Sequence, residues 1–267
     1  MRADAPGAND VDVWPFRLDV GPARLQELRR WLSADERQRA DRFHFSRDRD
    51  RFVSGRGRVR EILGRYLCVS PDTVRFAYGP QGKPRLADAA GLRFNVSHAE
   101  DEAVLAVARG REVGVDIERL RTDMDWEPIA RRFFSPREAE ALLALPPPAR
   151  PPAFFAGWTR KEAFIKAVGG GLDIPLADFD VSLDPAGPAR LLRTGWDPEE
   201  AGRWSLQAIQ APPGFAAAIA VQGGPPRLHA VRVSPPRPRP TAALKATAPR
   251  QRMALSCVTS LALRGRL

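Results

Sequence analysis

The stretch FDVSLDPAGPARL, residues 179–191, repeats a pattern that already occurs at residues 74–86, VRFAYGPQGKPRL. In both stretches an apolar run typical of a strand leads into a turn rich in Gly and Pro, and a Pro stands shortly before a Leu. The segments that follow also match, because residues 92–108 and 203–221 each predict a strand, a turn and a second apolar strand. The sequence therefore predicts an internal duplication.

Helical patterns precede the sheet segments in both halves. In the first half, residues 23–43 predict a helix interrupted near Ser33, whose hydroxyl suits an N-cap, and a second helix follows. In the second half, Ser135 and Glu138 have capping-box spacing, and the helix-like run 158–168 follows a proline-rich breaker. We therefore expect an α+β fold with a pseudo-twofold duplication, in which each of two similar subdomains packs helices on a small antiparallel sheet.

The predicted division places the N-terminal subdomain at residues 1–111 and the C-terminal subdomain, which carries GVDIE and WTRKEAFIK, at residues 112–223. Residues 224–267 hold nine of the 42 Lys and Arg residues and no Asp or Glu. The rest of the chain has 33 basic and 32 acidic residues, so the net charge of +10 belongs almost entirely to this last segment. Its Pro/Arg-rich composition predicts a largely disordered tail, either a solvated appendage or a weak contact for an anionic partner.

The composition also indicates where the protein works. No apolar run approaches the ~20 residues that cross a bilayer, so we expect no membrane contact. The first residues lack a basic segment followed by an apolar one, and we expect no secretory signal. The two cysteines, Cys68 and Cys257, lie far apart in the sequence. This argues against a disulfide framework or a cysteine zinc site and favours the cytoplasm.

The segment GVDIE carries two acidic residues at strand spacing. If it is a strand, its period of two places Asp116 and Glu118 on the same face. Two carboxylates in this arrangement form either an ordinary polar strand face or a half-site for a hard cation, which takes oxygen ligands. Glu162 could supply a third carboxylate from the helix. Because the chain has only two cysteines and three histidines, three carboxylates favour Mg²⁺ over zinc.

The stretch WTRKEAFIKAVGGGL, residues 158–172, places Glu162 and Lys166 one helical turn apart. They form either a surface ion pair, or a metal-holding carboxylate followed by a lysine that meets a phosphate. The three glycines predict the end of the helix. They lack the Lys-Ser/Thr of a P-loop and the preceding strand of a dinucleotide site, so both are excluded.

Several other polar residues are candidates for binding an anion. Ser97 and His98 come just after a predicted strand, where loops often present functional groups. Neighbours on an extended chain point in opposite directions, which argues against a Ser-His hydrolase pair. They suit contacts to a phosphate, although His98 could instead be structural. Lys83 lies in the Gly-Lys-Pro turn, where it is either solvated or held rigidly. Arg39 and Arg51, near the first helices, are uninformative by themselves among so many arginines.

Five motifs occur in a characteristic order between about Phe16 and Val221: GKPRL, FNVSHAED, GVDIE, RRFFSPREAEAL and WTRKEAFIKAVGGGL. This ordered set resembles the surfactin-type 4′-phosphopantetheinyl transferases, enzymes that activate carrier proteins. The resemblance implies a pseudo-twofold monomer that binds coenzyme A and Mg²⁺ between two similar subdomains.

The resemblance further implies roles for individual residues. Lys166 would meet the transferred phosphate, and Glu36 stands where the family has a basic contact. The implied magnesium ligands are Asp116, Glu118 and Glu162. The implied coenzyme contacts are Lys83, Ser97, His98, Arg39 and Arg51, with His98 at the 3′-phosphate.

The implied reaction is Mg²⁺-dependent transfer of 4′-phosphopantetheine from coenzyme A to a serine of an acyl or peptidyl carrier protein. Glu162 would act as a metal ligand and as the base for that serine. The resemblance favours carriers of polyketide and non-ribosomal peptide synthases. Two other hypotheses remain from the residues: a nucleic-acid-binding protein that uses the basic tail, and a carboxylate-metal nuclease or phosphatase. The near-neutral charge of residues 1–223 makes nucleic acid the less favoured partner.

Overall fold

A computed structural model describes residues 5–87, 91–121 and 123–231 of the chain. The first half contains, in order, a strand, three helices, a short hairpin and two longer strands. These elements are β1 (Asp10–Arg17), α1 (Pro22–Arg30), α2 (Ala34–Asp41), α3 (Ser46–Leu67), β2 (Phe76–Tyr78), β3 (Pro84–Leu86), β4 (Leu92–Ala99) and β5 (Glu102–Arg109).

The second half repeats this order of elements. They are β6 (Val113–Arg119), α4 (Glu127–Phe133), α5 (Pro136–Ala144), α6 (Arg150–Val168), β7 (Phe179–Val181), β8 (Leu191–Thr194), β9 (Trp204–Ala208) and β10 (Phe215–Gln222). Strand pairing repeats as well: the order is β1-β5-β4 in one sheet and β6-β10-β9 in the other, with antiparallel neighbours throughout. The predicted α+β fold with an internal duplication is confirmed.

The duplication extends to single polar side chains. Glu36 in the first turn of α2 accepts a hydrogen bond from the backbone N–H three residues earlier (2.9 Å), and so does Glu138 in α5 (2.8 Å). Each glutamate also pairs with a buried cation on the long helix of its half, Glu36 with Arg60 (2.6 Å) and Glu138 with Lys161 (2.7 Å). A buried carboxylate needs such a partner. Glu36, found where the resemblance implies a basic residue, is therefore the structural counterpart of Glu138.

One more strand lies beyond the predicted C-terminal boundary at residue 223. This strand, β11 (Arg227–Ala230), pairs in parallel with β1 and extends the first sheet to the order β11-β1-β5-β4. It covers the edge of β1 that does not face β5. The rest of the predicted tail, residues 232–267, lies outside the described residues.

Helix α6 is the centre of the second half. Its side chains are buried on nearly every side, and Phe154 stacks on Trp158 with ring centroids 5.8 Å apart. Its aromatic and aliphatic side chains belong to the largest apolar cluster of the second half, and its two lysines form ion pairs with carboxylates. Across 5–87, 91–121 and 123–231, no helix is long and apolar enough to span a membrane.

Candidate active site

The site begins with a close approach between α6 and β6. A Cβ atom added to Gly114 would lie 2.1 Å from the carbonyl oxygen of Ala163 and 2.3 Å from the amide nitrogen of Ala167. Only glycine leaves room for backbone at that distance. Since side chains alternate along β6, Asp116 and Glu118 share the face of Gly114 and point toward the helix that carries Glu162 and Lys166.

Three side chains from both halves of the chain meet at this junction. The Lys166 ammonium donates to Asp116 Oδ1 (2.6 Å), and the Ser97 hydroxyl donates to the same oxygen (2.7 Å). Lys166 Nζ is also 3.1 Å from Ser97 Oγ. Asp116 is fully buried (0% exposed). The structure thus brings together Ser97 on β4, Asp116 on β6 and Lys166 on α6.

A side-chain amide holds β4 beside β6. The buried Asn95 accepts a hydrogen bond from the backbone N–H of Val115 through its Oδ1 atom (2.8 Å). Asn95 and Ser97 lie two residues apart on one face of β4, so this bond sets the position of Ser97 relative to Asp116. Sequence analysis missed Asn95, although its polarity within an apolar strand was a usable signal.

The three predicted magnesium ligands are all buried, with Glu118 and Glu162 at 7% and 8% exposure. On β10, Ala218 and Ala216 stand opposite Asp116 and Glu118, so small side chains border the carboxylates. Asp116 Oδ2 is buried and accepts no hydrogen bond from the described part of the chain. Carboxylate oxygens are the ligands that Mg²⁺ prefers, and this oxygen lacks another partner.

The donor chemistry therefore fits Mg²⁺, although the ligand set is not assembled. Among the residues that the structure describes, no three His, Cys, Asp or Glu side chains form a group that could hold a metal. The ammonium of Lys166 supplies the positive charge beside Asp116 in this arrangement.

Two other predicted phosphate contacts lie on the first half. His98 follows Ser97 on β4 and is half-buried, opposite Ala103 of β5. Lys83, in the turn between β2 and β3, reaches the second half instead of solvent. Its ammonium donates to three protein acceptors, which are the carbonyl of Ala167 (2.9 Å), Glu112 Oε2 (3.2 Å) and the carbonyl of Val113 (3.4 Å).

The two predicted arginine contacts are on α2 and α3 of the first half. Arg51 Nε donates to Asp101 Oδ1 (2.8 Å), and the guanidinium of Arg39 lies over the Phe52 ring, 4.8 Å from its centroid. Arg39 and Phe52 help line a cavity of about 290 Å³ that also borders Tyr78. Arg39 thus borders a cavity on the first half, and Arg51 pairs with Asp101.

A buried lysine next to Glu162 has a structural role that the sequence did not reveal. Lys161 donates to the carbonyls of Leu176 (2.7 Å) and Phe179 (2.5 Å) and forms an ion pair with Glu138. Burial lowers the pKa of Lys161 and raises the pKa of Glu138, and the ion pair opposes both shifts. Adjacent helical residues face different directions, so Lys161 points into the core while Glu162 lies beside β6.

Comparison with known proteins identifies the family to which the chain belongs. The family model described as "4′-phosphopantetheinyl transferase superfamily" matches residues 112–220, and "4′-phosphopantetheinyl transferase, N-terminal" matches residues 21–110. The 4′-phosphopantetheinyl transferase HetI of Nostoc sp. is 42% identical over 219 residues, which cover 81% of this chain and 89% of HetI. This chain belongs to the 4′-phosphopantetheinyl transferase family.

Other members of the family are similar over much of their length. The 4′-phosphopantetheinyl transferase Sfp of Bacillus subtilis is 30% identical over 189 residues, covering 71% of this chain and 81% of Sfp. A second Bacillus subtilis 4′-phosphopantetheinyl transferase is 34% identical over 157 residues, covering 58% and 68% of the two chains. The resemblance inferred from the five motifs is confirmed, and the chain is an enzyme of this transferase family.

Proposed function

We propose that this phosphopantetheinyl transferase moves the 4′-phosphopantetheine group from coenzyme A to a carrier-protein serine in a Mg²⁺-dependent reaction. The observation that supports it most is the buried contact of Asp116 with Lys166 and Ser97. It brings a carboxylate, a cation and a hydroxyl from both halves to one junction, with Glu118 and Glu162 on the adjoining surfaces of β6 and α6.

The reaction forms one P–O bond and breaks another. The carrier serine oxygen attacks the β-phosphorus of coenzyme A, and the bond from that phosphorus to the bridging oxygen breaks. Adenosine 3′,5′-bisphosphate leaves with the electron pair. The serine proton passes to Glu162, directly or through water. Lys166 stabilises the negative charge that grows on the pyrophosphate oxygens.

The metal would be held by Asp116, through its Oδ2 atom, and by Glu118 and Glu162. When bound, Mg²⁺ would supply positive charge to the pyrophosphate. Coenzyme binding would use His98 at the 3′-phosphate, with Ser97, Arg39 and Arg51 as the further contacts implied by the resemblance. The resemblance implies such a contact for Lys83 as well, but the Lys83 ammonium already donates to three protein acceptors.

The carrier class is also part of the proposal. The surfactin-type resemblance favours acyl and peptidyl carrier domains of polyketide and non-ribosomal peptide synthases. We place the reaction in the cytoplasm because the chain has only two cysteines, of which Cys68 is a free, exposed thiol.

Intact-mass measurement of carrier domains tests the transfer. The enzyme is incubated with coenzyme A, Mg²⁺ and three apo carriers: a peptidyl carrier, a polyketide acyl carrier and a fatty-acid acyl carrier. We expect the peptidyl carrier and the polyketide acyl carrier each to gain the mass of one phosphopantetheine. A carrier whose serine is replaced by alanine should gain none. Chelation with EDTA should stop the gain, and added Mg²⁺ should restore it. No gain on any carrier would refute the proposal.

Two variants test the role of Glu162. Glu162→Gln keeps the shape of the side chain but removes the base and a charged metal ligand, so transfer should fall by about 10²-fold or more. Glu199→Gln removes the same charge from an exposed position and should leave transfer unchanged. Transfer by Glu162→Gln at the wild-type rate would contradict the assignment.

A further inference from the structure

Lys83, in the first half, forms hydrogen bonds with residues of the second half. Its side chain is only 11% exposed. A lysine ammonium has three N–H donors and no acceptor. Ala167, Glu112 and Val113 provide three acceptors, so every donor is already used within the protein.

On this basis, and resting on the transfer reaction above, we propose that Lys83 is a positioning residue that fixes the end of α6 and so the ammonium of Lys166. The coenzyme-phosphate contact that the resemblance implies for Lys83 is the alternative. The two roles predict different behaviour when the lysine is replaced.

The acceptors of Lys83 lie on or next to α6 and β6, the elements that carry Lys166 and Asp116. Ala167 follows Lys166 on α6, and Val113 begins β6, three residues before Asp116. One ammonium therefore ties together the two backbones whose side chains meet at the Lys166–Asp116 ion pair. The carbonyl of Ala167 is among the last four of α6, which have no partner within the helix. A cation at a helix C-terminus also interacts favourably with the helix dipole.

The turn that carries Lys83 is seated on the glycines that end α6. The amide of Gln81 donates to the carboxylate of Asp173. A Cβ atom added to Gly171 would lie 3.2 Å from Cβ of Gln81, and one added to Gly169 would lie 3.4 Å from Cδ of Lys83. Both glycines have positive φ, +78° at Gly169 and +54° at Gly171. The glycine run thus ends the helix and also admits the turn from the other half.

The charge of Lys83 has a counter-charge within the protein. Glu112 accepts from Lys83 through Oε2 and from Arg93 Nε through Oε1 (2.8 Å). Burial lowers the pKa of Lys83, and Glu112 opposes that shift. A partly buried ammonium needs a partner of opposite charge, and Glu112 provides it without a bound phosphate.

Steady-state kinetics of Lys83→Met separate the two roles. If Lys83 positions Lys166, the Lys83→Met substitution should displace the Lys166 ammonium and lower kcat by about 10- to 100-fold. The KM for coenzyme A should change by less than about twofold. The same loss should appear with 3′-dephospho-coenzyme A. Lys83→Arg, which keeps the charge, should recover part of kcat. Arg85→Met removes a cation from an exposed position of the same hairpin and serves as the control.

A raised KM or coenzyme Kd with unchanged kcat would overturn the proposal and support a phosphate contact. Glu112→Gln provides an independent variant. If Glu112 holds Lys83 in place, Glu112→Gln should lower kcat in the wild type and have little further effect in Lys83→Met. A Glu112→Gln variant with wild-type kcat would contradict the positioning role.

Hydrogen exchange of the ligand-free enzyme tests the same contact without any transfer assay. The amide of Gly169 donates to the carbonyl of Ile165 in the last turn of α6. Lys83→Met should raise its exchange rate, with amides near Phe154 unaffected. Absence of transfer by the wild type would refute the proposed reaction, whereas unchanged exchange at Gly169 would refute the role of Lys83.

Discussion

Replacing Gly114 with alanine would place a methyl group where the backbone of α6 already lies. The added Cβ atom would be 2.1 Å from the carbonyl oxygen of Ala163 and 2.9 Å from Cα of Ala167. These are backbone atoms, so no side-chain rotation relieves the contact. Ordinary contact begins near 3.4 Å, and α6 must therefore move by roughly 1 Å, a displacement that can cost 10²-fold in rate.

The same displacement should also lower stability. Forcing an extra carbon into a packed interior costs about 1–3 kcal/mol. We expect the free energy of unfolding of the Gly114→Ala variant to fall by that amount, so that its urea midpoint is lower. We also expect it to transfer phosphopantetheine about 10²-fold more slowly. Gly202→Ala is the matched control, because a Cβ atom there has nothing within 4 Å. Urea unfolding and the intact-mass assay give both quantities.

The reasoning would be refuted by a Gly114→Ala enzyme with wild-type stability and rate. A stable variant with a slow rate would show that α6 moves without loss of packing. A variant of low stability that still transfers at the wild-type rate would show that the distance between α6 and β6 does not control the reaction.

Three further predictions concern other contacts of the structure. In the absence of coenzyme A, the Lys166→Met variant should bind Mn²⁺ more tightly than the wild type, because no ammonium competes for the Asp116 carboxylate. Electron paramagnetic resonance measures the Mn²⁺ affinity, and weaker binding by the variant would contradict the prediction. The Asn95→Ala substitution should lower the free energy of unfolding by about 1–3 kcal/mol, because the buried N–H of Val115 loses its acceptor. An unchanged urea midpoint would show that water replaces the Asn95 side chain as the acceptor. The Glu138→Gln substitution should lower the free energy of unfolding by about 3–5 kcal/mol, because Lys161 stays buried without its counter-ion. Adding Lys161→Met should recover much of that loss, and additive losses in thermal and urea unfolding would contradict the pairing.

Much of the fold could be predicted because the duplicated pattern is local. Strand alternation, turn glycines and capping-box spacing are short-range signals, and they recur in both halves of the chain. Strand β11 could not be predicted in the same way. It comprises four residues in a Pro/Arg-rich context and is held by pairing with β1, more than two hundred residues away in sequence.

The candidate site was predictable in part for a similar reason. The period of two placed Asp116 and Glu118 on one face, and the structure brings Lys166 to that face. The partner of Lys83 was not predictable, because a turn lysine looks the same whether it faces solvent or another subdomain. The need for Gly114 was also hidden, since the helix that requires it lies about fifty residues later in the chain.

Strand β11 has a consequence for binding stoichiometry. Matching the strand registers of the two halves places Trp14 and Phe16 of β1 where β6 has Asp116 and Glu118. The outer edge of β6 faces β4, whereas β11 covers the equivalent edge of β1. A duplicated chain with equal halves would carry this carboxylate pair twice, whereas here Trp14 and Phe16 stand in place of the second pair and β11 covers the edge of their strand. Calorimetry should therefore find one equivalent of coenzyme A per chain.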